Sequence, residues 1–223
     1  NLTVLIARTK DSVIGYSFAP SESYTEWTRF LSKFMPPEYV VCDGQKGLKR
    51  AIRDVWPCTK VQRCLFHVWY SLKCKLTLNP ETGAGIELLR LVGLLLKIKS
   101  KYDKDRRLNL YQQWHTKFDD FINEKTVNKI TGEVFPTHER LKSAAYNLGK
   151  LIKSNCLFVF LECDEVDSTN NLVEGGINSP IRDLLRSHRG ASINHRILII
   201  KIYLLKRSKY WHSITNKLYK KKD

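Results

Sequence analysis

The chain has 223 residues, with 38 Lys and Arg against 22 Asp and Glu, a formal net charge of +16. That length gives room for one large domain or two small ones, and a hydrophobic fraction of 43 % is ordinary for a globular protein. The cationic excess favours a polyanionic partner, most simply nucleic acid, and six scattered cysteines exclude a dense disulfide scaffold. No uninterrupted apolar stretch has the length of a bilayer span, so no membrane partner is expected and the environment reads as reducing and intracellular.

Residues 2–18 carry a hairpin pattern: Asn1 to Ala7 is apolar and β-prone, Thr9 to Ser12 is turn-like, and Val13 to Phe18 is apolar again. A helix follows Ser21–Thr25, with Trp27, Phe30, Leu31 and Phe34 on one face and Pro36-Pro37 as its stop. Tyr39–Cys42 is short and apolar enough for a buried strand; Asp43 closes it and Gly44 permits a sharp turn. Leu48, Ile52 and Val55 then share a helix face, Lys46, Lys49, Arg50 and Arg53 fall largely on the others, and Pro57 ends the helix. A second apolar strand ends in Cys64-Leu-Phe-His67. The order is β-β-α-β-α-β, an α/β pattern. A carboxylate at a strand's C-terminal end lies where open α/β sheets expose their reactive edge, although an Asp there is also an ordinary turn former.

From Val68 to Ser154 the periodicity becomes helical. Leu88, Leu89, Val92 and Leu95 form one stripe, Tyr111, Trp114, Phe118 and Phe121 a second, and Leu141, Ala145, Leu148 and Ile152 a third. Aromatic stripes at this spacing read as helix core. Leu157 to Leu161 reads as a brief strand. A helix is then expected from about Ser168, with Val173, Ile177, Ile181 and Leu184 or Leu185 inward, and Asn171, Glu174, Asn178 and Arg182 as a polar stripe. Gly175 and Gly176 each cost about 1 kcal/mol inside a helix, and Pro180 removes a backbone hydrogen bond, so close backbone approach or a bend is expected there. Arg186 to Gly190 is basic; His188 and Arg189 suit either phosphate contact or the helix C-terminal dipole. Ile193, Ile197, Ile200 and Leu204 mark a last helix before the cationic Lys217–Lys222.

The segments CDGQKGLKRAIRDVWP, QRCLFH and STNNLVEGGINSPIRDLLRSHRG, with IARTKDSVIGY before them, resemble bacterial insertion-sequence transposases of the Mutator-like group. The resemblance implies an RNase H-like mixed sheet flanked by helices and interrupted by an all-helical insertion. It also implies an Asp-Asp-Glu triad holding two Mg²⁺ or Mn²⁺ ions for DNA strand cleavage and strand transfer. Asp43 matches the second acid, Glu174 the third, and Cys64 and His67 the Cys-x-x-His. The first Asp belongs to a strand before the hairpin, so it is expected upstream of Asn1, as is the family's DNA-binding region; residues 1–223 alone are then expected to cleave DNA little. Asn171 and Asn178 are expected to support the acids, and Lys46, Arg182, His188 and Arg189 to contact DNA.

On this reading residues 1–76 form the first part of the core, 77–163 the insertion and 164–223 the second part, and Asp43 is expected to face Glu174 across a shared metal ion. The implied partners are element-end and target DNA and further copies of the protein in a transposition complex, in the bacterial cytoplasm at the nucleoid. Asp164, Glu165 and Asp167 compete with Glu174 as third acid. Cys64 and His67, with Cys58 and Cys74 nearby, invite a zinc reading that the irregular ligand spacing disfavours. A non-catalytic basic DNA-binding remnant of a transposase is the other functional class compatible with these residues.

Overall fold

The structure is a computed structural model and describes residues 3–211. In chain order, strands β1 (Thr3–Arg8) and β2 (Val13–Ala19) precede helix α1 (Tyr24–Leu31), β3 (Tyr39–Cys42), α2 (Lys46–Val55) and β4 (Lys60–Arg63). Helices α3 (Leu65–Leu76), α4 (Gly83–Leu94), α5 (Lys101–Lys117) and α6 (Asp119–Asn123) come next, then β5 (Lys125–Val127), β6 (Val134–Pro136) and α7 (Glu139–Lys153). The chain closes with α8 (Asn171–Val173), a π-helical turn (Glu174–Asn178), α9 (Ser179–Ser187) and α10 (Ile193–Lys206). It divides into two compact units: Asn1–Pro37, Gln45–Thr59 and Asn170–Asp223 form one, and Glu38–Gly44 with Lys60–Thr169 the other.

In the first unit β1 and β2 pair antiparallel from Thr3↔Ala19 to Ala7↔Gly15, with a register shift before Arg8↔Val13. Gly15 has no side chain because the Phe34 ring occupies the place of a Cβ. The expected α1 begins at the Ser23 cap, whose hydroxyl accepts from Glu26 N at 3.3 Å, and buries Trp27, Phe30 and Leu31. Helix α2 starts at Gln45, whose Oε1 accepts from Leu48 N (2.7 Å) while Nε2 donates to the Glu22 carbonyl (2.6 Å), tying α2 to the start of α1. One apolar cluster joins Val13, Ile177, Ile181, Ile200, Tyr203 and Leu204. Ile193, expected on the inner face of α10, is 69 % exposed; it is the first residue of the helix, a turn short of the core. The cationic run Lys217–Lys222 lies outside the described residues.

In the second unit β3 and β4 run parallel, paired from Tyr39↔Lys60 to Cys42↔Arg63. Most of the core lies among α3, α4, α5 and α7, around Leu72, Leu88, Val92, Trp114, Ala144 and Leu148. The aromatic stripe is core here, and its polar tips are satisfied: Trp114 Nε1 donates to Ala84 O (3.0 Å) and Tyr111 OH to Ala145 O (2.9 Å).

Three expectations need correction. The single mixed sheet is replaced, among the described residues, by three two-stranded ladders, β1-β2, β3-β4 and β5-β6. The insertion is not all-helical. Thr126, Val127 and Val134 are β-branched, and Asn128 folds the loop between them: its Oδ1 accepts from Ile130 N (2.9 Å), while Gly132 turns at φ +72. The resulting hairpin begins at Lys125, where a helical continuation was expected.

The third correction concerns Leu157–Leu161, which is not a strand but contains a short 3₁₀ turn at Val159–Leu161. A fully buried side chain, Gln62, takes the place of a ladder there. Its Nε2 donates to Leu157 O (2.9 Å) and Arg63 O (2.6 Å), and its Oε1 accepts from Phe160 N (3.1 Å).

Candidate active site

Asp43 follows β3 directly, and Cys64 follows the parallel neighbour β4 directly. The register Cys42↔Arg63 and the hydrogen bond from Cys64 N to Cys42 O (2.8 Å) put both at the C-terminal end of the same strand pair. This is the edge where open parallel sheets present reactive groups. Arg63 Nη2 donates to the Asp43 carbonyl at 2.9 Å. Its guanidinium fills the place a Cβ of Gly44 would take, and Gly44 adopts φ +83. Glycine is therefore required on two counts, a left-handed backbone and a close approach. Nothing in the sequence spacing marks Arg63 as a partner of the Asp43 loop; only the strand pairing reveals it.

Cys64 is fully buried and starts α3, so His67 falls in the first turn of that helix. His67 Nδ1 lies 3.2 Å from Cys64 Sγ. That contact fixes the imidazole and leaves Nε2 as the ring nitrogen for any other partner. Leu65 N donates to Ser168 O (2.9 Å), which anchors the start of α3 to the segment leading toward Glu174.

Glu174 does not sit on a uniform α-helix. The helical stretch starts at Asn171 rather than near Ser168, and Asn170 O accepts from both Val173 N (2.9 Å) and Glu174 N (3.2 Å). The next turn is π-helical: Ser179 N donates to Glu174 O, five residues back. The expected stripe of Asn171, Glu174, Asn178 and Arg182 assumes 3.6 residues per turn throughout, and the π turn at Glu174–Asn178 interrupts that regular helix. Pro180 explains the position of the irregularity. It has no N–H for the carbonyl of Gly176, and Gly176 O accepts instead from Tyr203 OH at 3.3 Å. A Cβ on Gly175 would lie 2.7 Å from Asn171 Oδ1, so Asn171 packs over Gly175, and one on Gly176 would lie 3.4 Å from Arg8 Nη1. Arg8 braces the same turn, donating from Nη1 to Leu172 O at 2.9 Å. The bend anticipated from Gly175, Gly176 and Pro180 is thus this π turn, with Glu174 as its first residue; Arg8 and Tyr203 carry no sequence signal for their roles.

The basic candidates occupy exposed positions. Lys46 is the first residue of α2, and Arg182 is exposed on α9. Arg182, Arg186, Arg189 and Arg196 line one shallow depression with Leu185. Arg196 Nη2 donates to Arg189 O (2.8 Å), Arg186 pairs with Asp183 (3.2 Å), and His188 Nδ1 is 2.8 Å from Leu184 O. His188 thus caps α9, the helix-terminal role open to it in the sequence.

Asp164, Glu165 and Asp167 lie in turn and irregular backbone before α8. Cys58 and Cys74 are exposed while Cys64 is buried. Among the described residues no three His, Cys, Asp or Glu side chains gather as a metal site. The carboxylates of Asp43 and Glu174 are hard oxygen donors of the kind Mg²⁺ and Mn²⁺ take, so their chemistry fits those ions as part of a ligand set. Among the described residues no helix is long and apolar enough to cross a membrane.

Comparison with known proteins falls on this same region. The family model "Transposase, Mutator family" matches residues 4–78, from β1 through the Asp43 loop and Cys64–His67 to just past α3. The transposase for insertion sequence element IS905 of Lactococcus lactis subsp. lactis (strain IL1403) is 26 % identical over 166 residues, covering 59 % of this chain and 42 % of the relative. The transposase for insertion sequence element IS1201 of Lactobacillus helveticus is 22 % identical over 167 residues, covering 73 % of this chain and 41 % of the relative. The chain thus spans about two fifths of the length of these curated relatives. Residues 4–78, which hold Asp43 and Cys64–His67, are thus similar to the Mutator family of transposases, and the chain is similar over part of its length to two insertion-sequence transposases.

Proposed function

We propose that this chain is catalytic-core sequence of a DNA transposase with an RNase H-like core, in which Asp43 and Glu174 are two of three acids for metal-dependent strand cleavage and strand transfer. The observation that carries the reading is the placement of Asp43 at the C-terminal end of β3, beside Cys64–His67 at the same end of the parallel β4. Both relatives carry the name transposase.

Asp43 and Glu174 would hold the divalent ions through carboxylate oxygens. Such ions, when bound, lower the cost of forming the attacking oxygen and of releasing the leaving one in an in-line displacement at phosphorus. The remaining work belongs to the chain. Arg63 fixes the backbone on which Asp43 stands, so the carboxylate meets its ligand without first paying for loop ordering. Arg8, Tyr203 and the glycine pair hold the π turn that begins at Glu174, and π turns of this kind are frequent at functional sites. Cys64 orients His67, which serves as a positioning residue at the Asp43 edge. Lys46 and the arginines of α9 and the following turn supply phosphate contacts along the DNA backbone.

The test uses the protein extended upstream to the expected first acid. A labelled element-end duplex is incubated with Mn²⁺, beside a DNA-binding assay on the same variants. Asp43→Asn and Glu174→Gln should each abolish cleavage while leaving affinity within about twofold. Retained cleavage in either variant removes that residue from the catalytic set.

A further inference from the structure

Helix α3 buries Leu65, Val68, Leu72 and Leu76 on its inner side. Its outer side carries Phe66, Tyr70 and Lys73 at helical spacing, and Trp69 between them is partly buried and packs against the core. Phe66 is 47 % exposed and Tyr70 53 % exposed, so neither ring is spent on the core. The two rings are nearly parallel and stacked, 15° between planes with centroids 6.3 Å apart. Trp69 tilts against both, at 5.5 Å from Phe66 and 6.5 Å from Tyr70, and Lys73 Nζ sits 4.6 Å from the centre of the Trp69 ring. The Phe66 ring also meets the His67 imidazole edge-on at 5.9 Å.

We propose that Phe66 and Tyr70 form a stacking platform for an unpaired DNA base, with Lys73 contacting its phosphate. The inference rests on the transposase reading for the identity of the nucleic acid, but not on the assignment of the acids. Exposed aromatic faces next to a cation match the two parts of an unpaired nucleotide, a π-face and a negative backbone. Duplex DNA keeps its bases stacked on one another, so only an extruded, frayed or single-stranded base can use such faces. The +16 charge supplies the long-range attraction that brings the strand to the surface. Phe66 lies within one turn of Cys64 and Tyr70 within one turn of His67, so the platform begins at the strand end that carries Asp43. A base held there leaves its sugar–phosphate linkage near the same edge. An aromatic platform has no preference for one base, which suits strand ends of varying sequence.

The experiment measures affinity of the full chain for a dT 20-mer and for a blunt duplex of the same length, by fluorescence anisotropy at fixed salt. Phe66→Ala/Tyr70→Ala should weaken single-strand binding about tenfold or more, as the loss of base stacking on aromatic side chains predicts, and change duplex binding less than about twofold. Phe66→Trp/Tyr70→Trp should restore single-strand binding, which separates lost stacking from lost folding. A 2-aminopurine placed in a bulge should be quenched by the native chain and not by the alanine pair. Equal losses on both DNAs, or no loss on the single strand, overturn the proposal. So does unchanged DNA affinity with an altered oligomeric state, which would assign the rings to a protein interface. If the alanine pair leaves single-strand binding intact while Asp43→Asn abolishes cleavage, the platform alone fails. If Asp43→Asn and Glu174→Gln leave cleavage intact, the acid assignment fails whatever the platform does.

Discussion

Replacing Gln62 by Leu tests how the helical block is fastened to the strand that carries Cys64. Leu has nearly the same size as Gln, so the substitution removes polarity without opening a large cavity. It deletes three hydrogen bonds, at 2.6, 2.9 and 3.1 Å. It also leaves Phe160 N–H and Leu157 C=O without this partner, in a region where Gln62 and Leu157 are both 0 % exposed. A buried polar group left unmade costs about 1–3 kcal/mol, so two of them predict a loss of about 2–6 kcal/mol. That is a large part of the 5–15 kcal/mol typical of a whole domain. In urea, where slopes for small proteins are about 1–3 kcal/mol per molar, the midpoint should fall by about 2 M. Circular dichroism and tryptophan fluorescence would follow the transition, Trp114 lying in the same unit. Lys60→Ala, on the same strand but exposed, serves as the control and should leave the midpoint nearly unchanged. A loss below about 1 kcal/mol for Gln62→Leu, or one equal to that of the control, would refute the claim that this side chain replaces a strand ladder.

Three further outcomes follow from the same geometry. Gly44→Ala should destabilise by about 2 kcal/mol or more and impair DNA cleavage, because it demands both an unfavourable left-handed backbone and displacement of the Arg63 guanidinium; unfolding beside the cleavage assay checks it, and a neutral result removes Arg63 from the Asp43 loop. Tyr203→Phe should cost about 1 kcal/mol by deleting the bond to Gly176 O, with amide hydrogen exchange accelerated over residues 174–179. The Glu162 carboxyl is held below its usual range by the hydrogen bond and charge of Lys60. Its contribution to stability is therefore present above the ordinary carboxylate range and lost as pH falls through the depressed value. A carboxyl NMR titration should show Glu162 returning to the ordinary range in Lys60→Met.

Elements set by local chemistry were legible in the sequence. Ser21–Thr25 marks a helix entry, Pro57 a stop, and the apolar run Tyr39–Cys42 a strand, and each takes its expected place. The placement of Asp43 and Cys64 just past strand ends was legible too, since a strand end fixes the backbone just beyond it. What escaped depends on partners distant in the chain. Leu157–Leu161 has the composition of a strand, and only the buried Gln62 amide, 95 residues away from Leu157, converts it to a bonded turn. The hairpin at Lys125–Pro136 is too short for periodicity to separate it from helix, and it rests on the Asn128 loop. Around Glu174 the glycines and Pro180 announced a departure from regular helix. Its form, a π turn closed by Tyr203, required knowing that α10 supplies a hydroxyl at that height. The polar stripe drawn through Asn171, Glu174, Asn178 and Arg182 assumed a regular helix, which the π turn interrupts.

The most direct measurement is Mn²⁺-dependent cleavage of a labelled element-end duplex by the upstream-extended protein carrying Glu174→Gln, beside the same protein carrying Asp167→Asn. The account predicts no cleavage from the Glu174 variant, near-native cleavage from the Asp167 variant and unchanged duplex affinity in both. Full cleavage by Glu174→Gln, with loss in Asp167→Asn, would contradict the assignment of Glu174 and move the third acid to the turn that precedes α8.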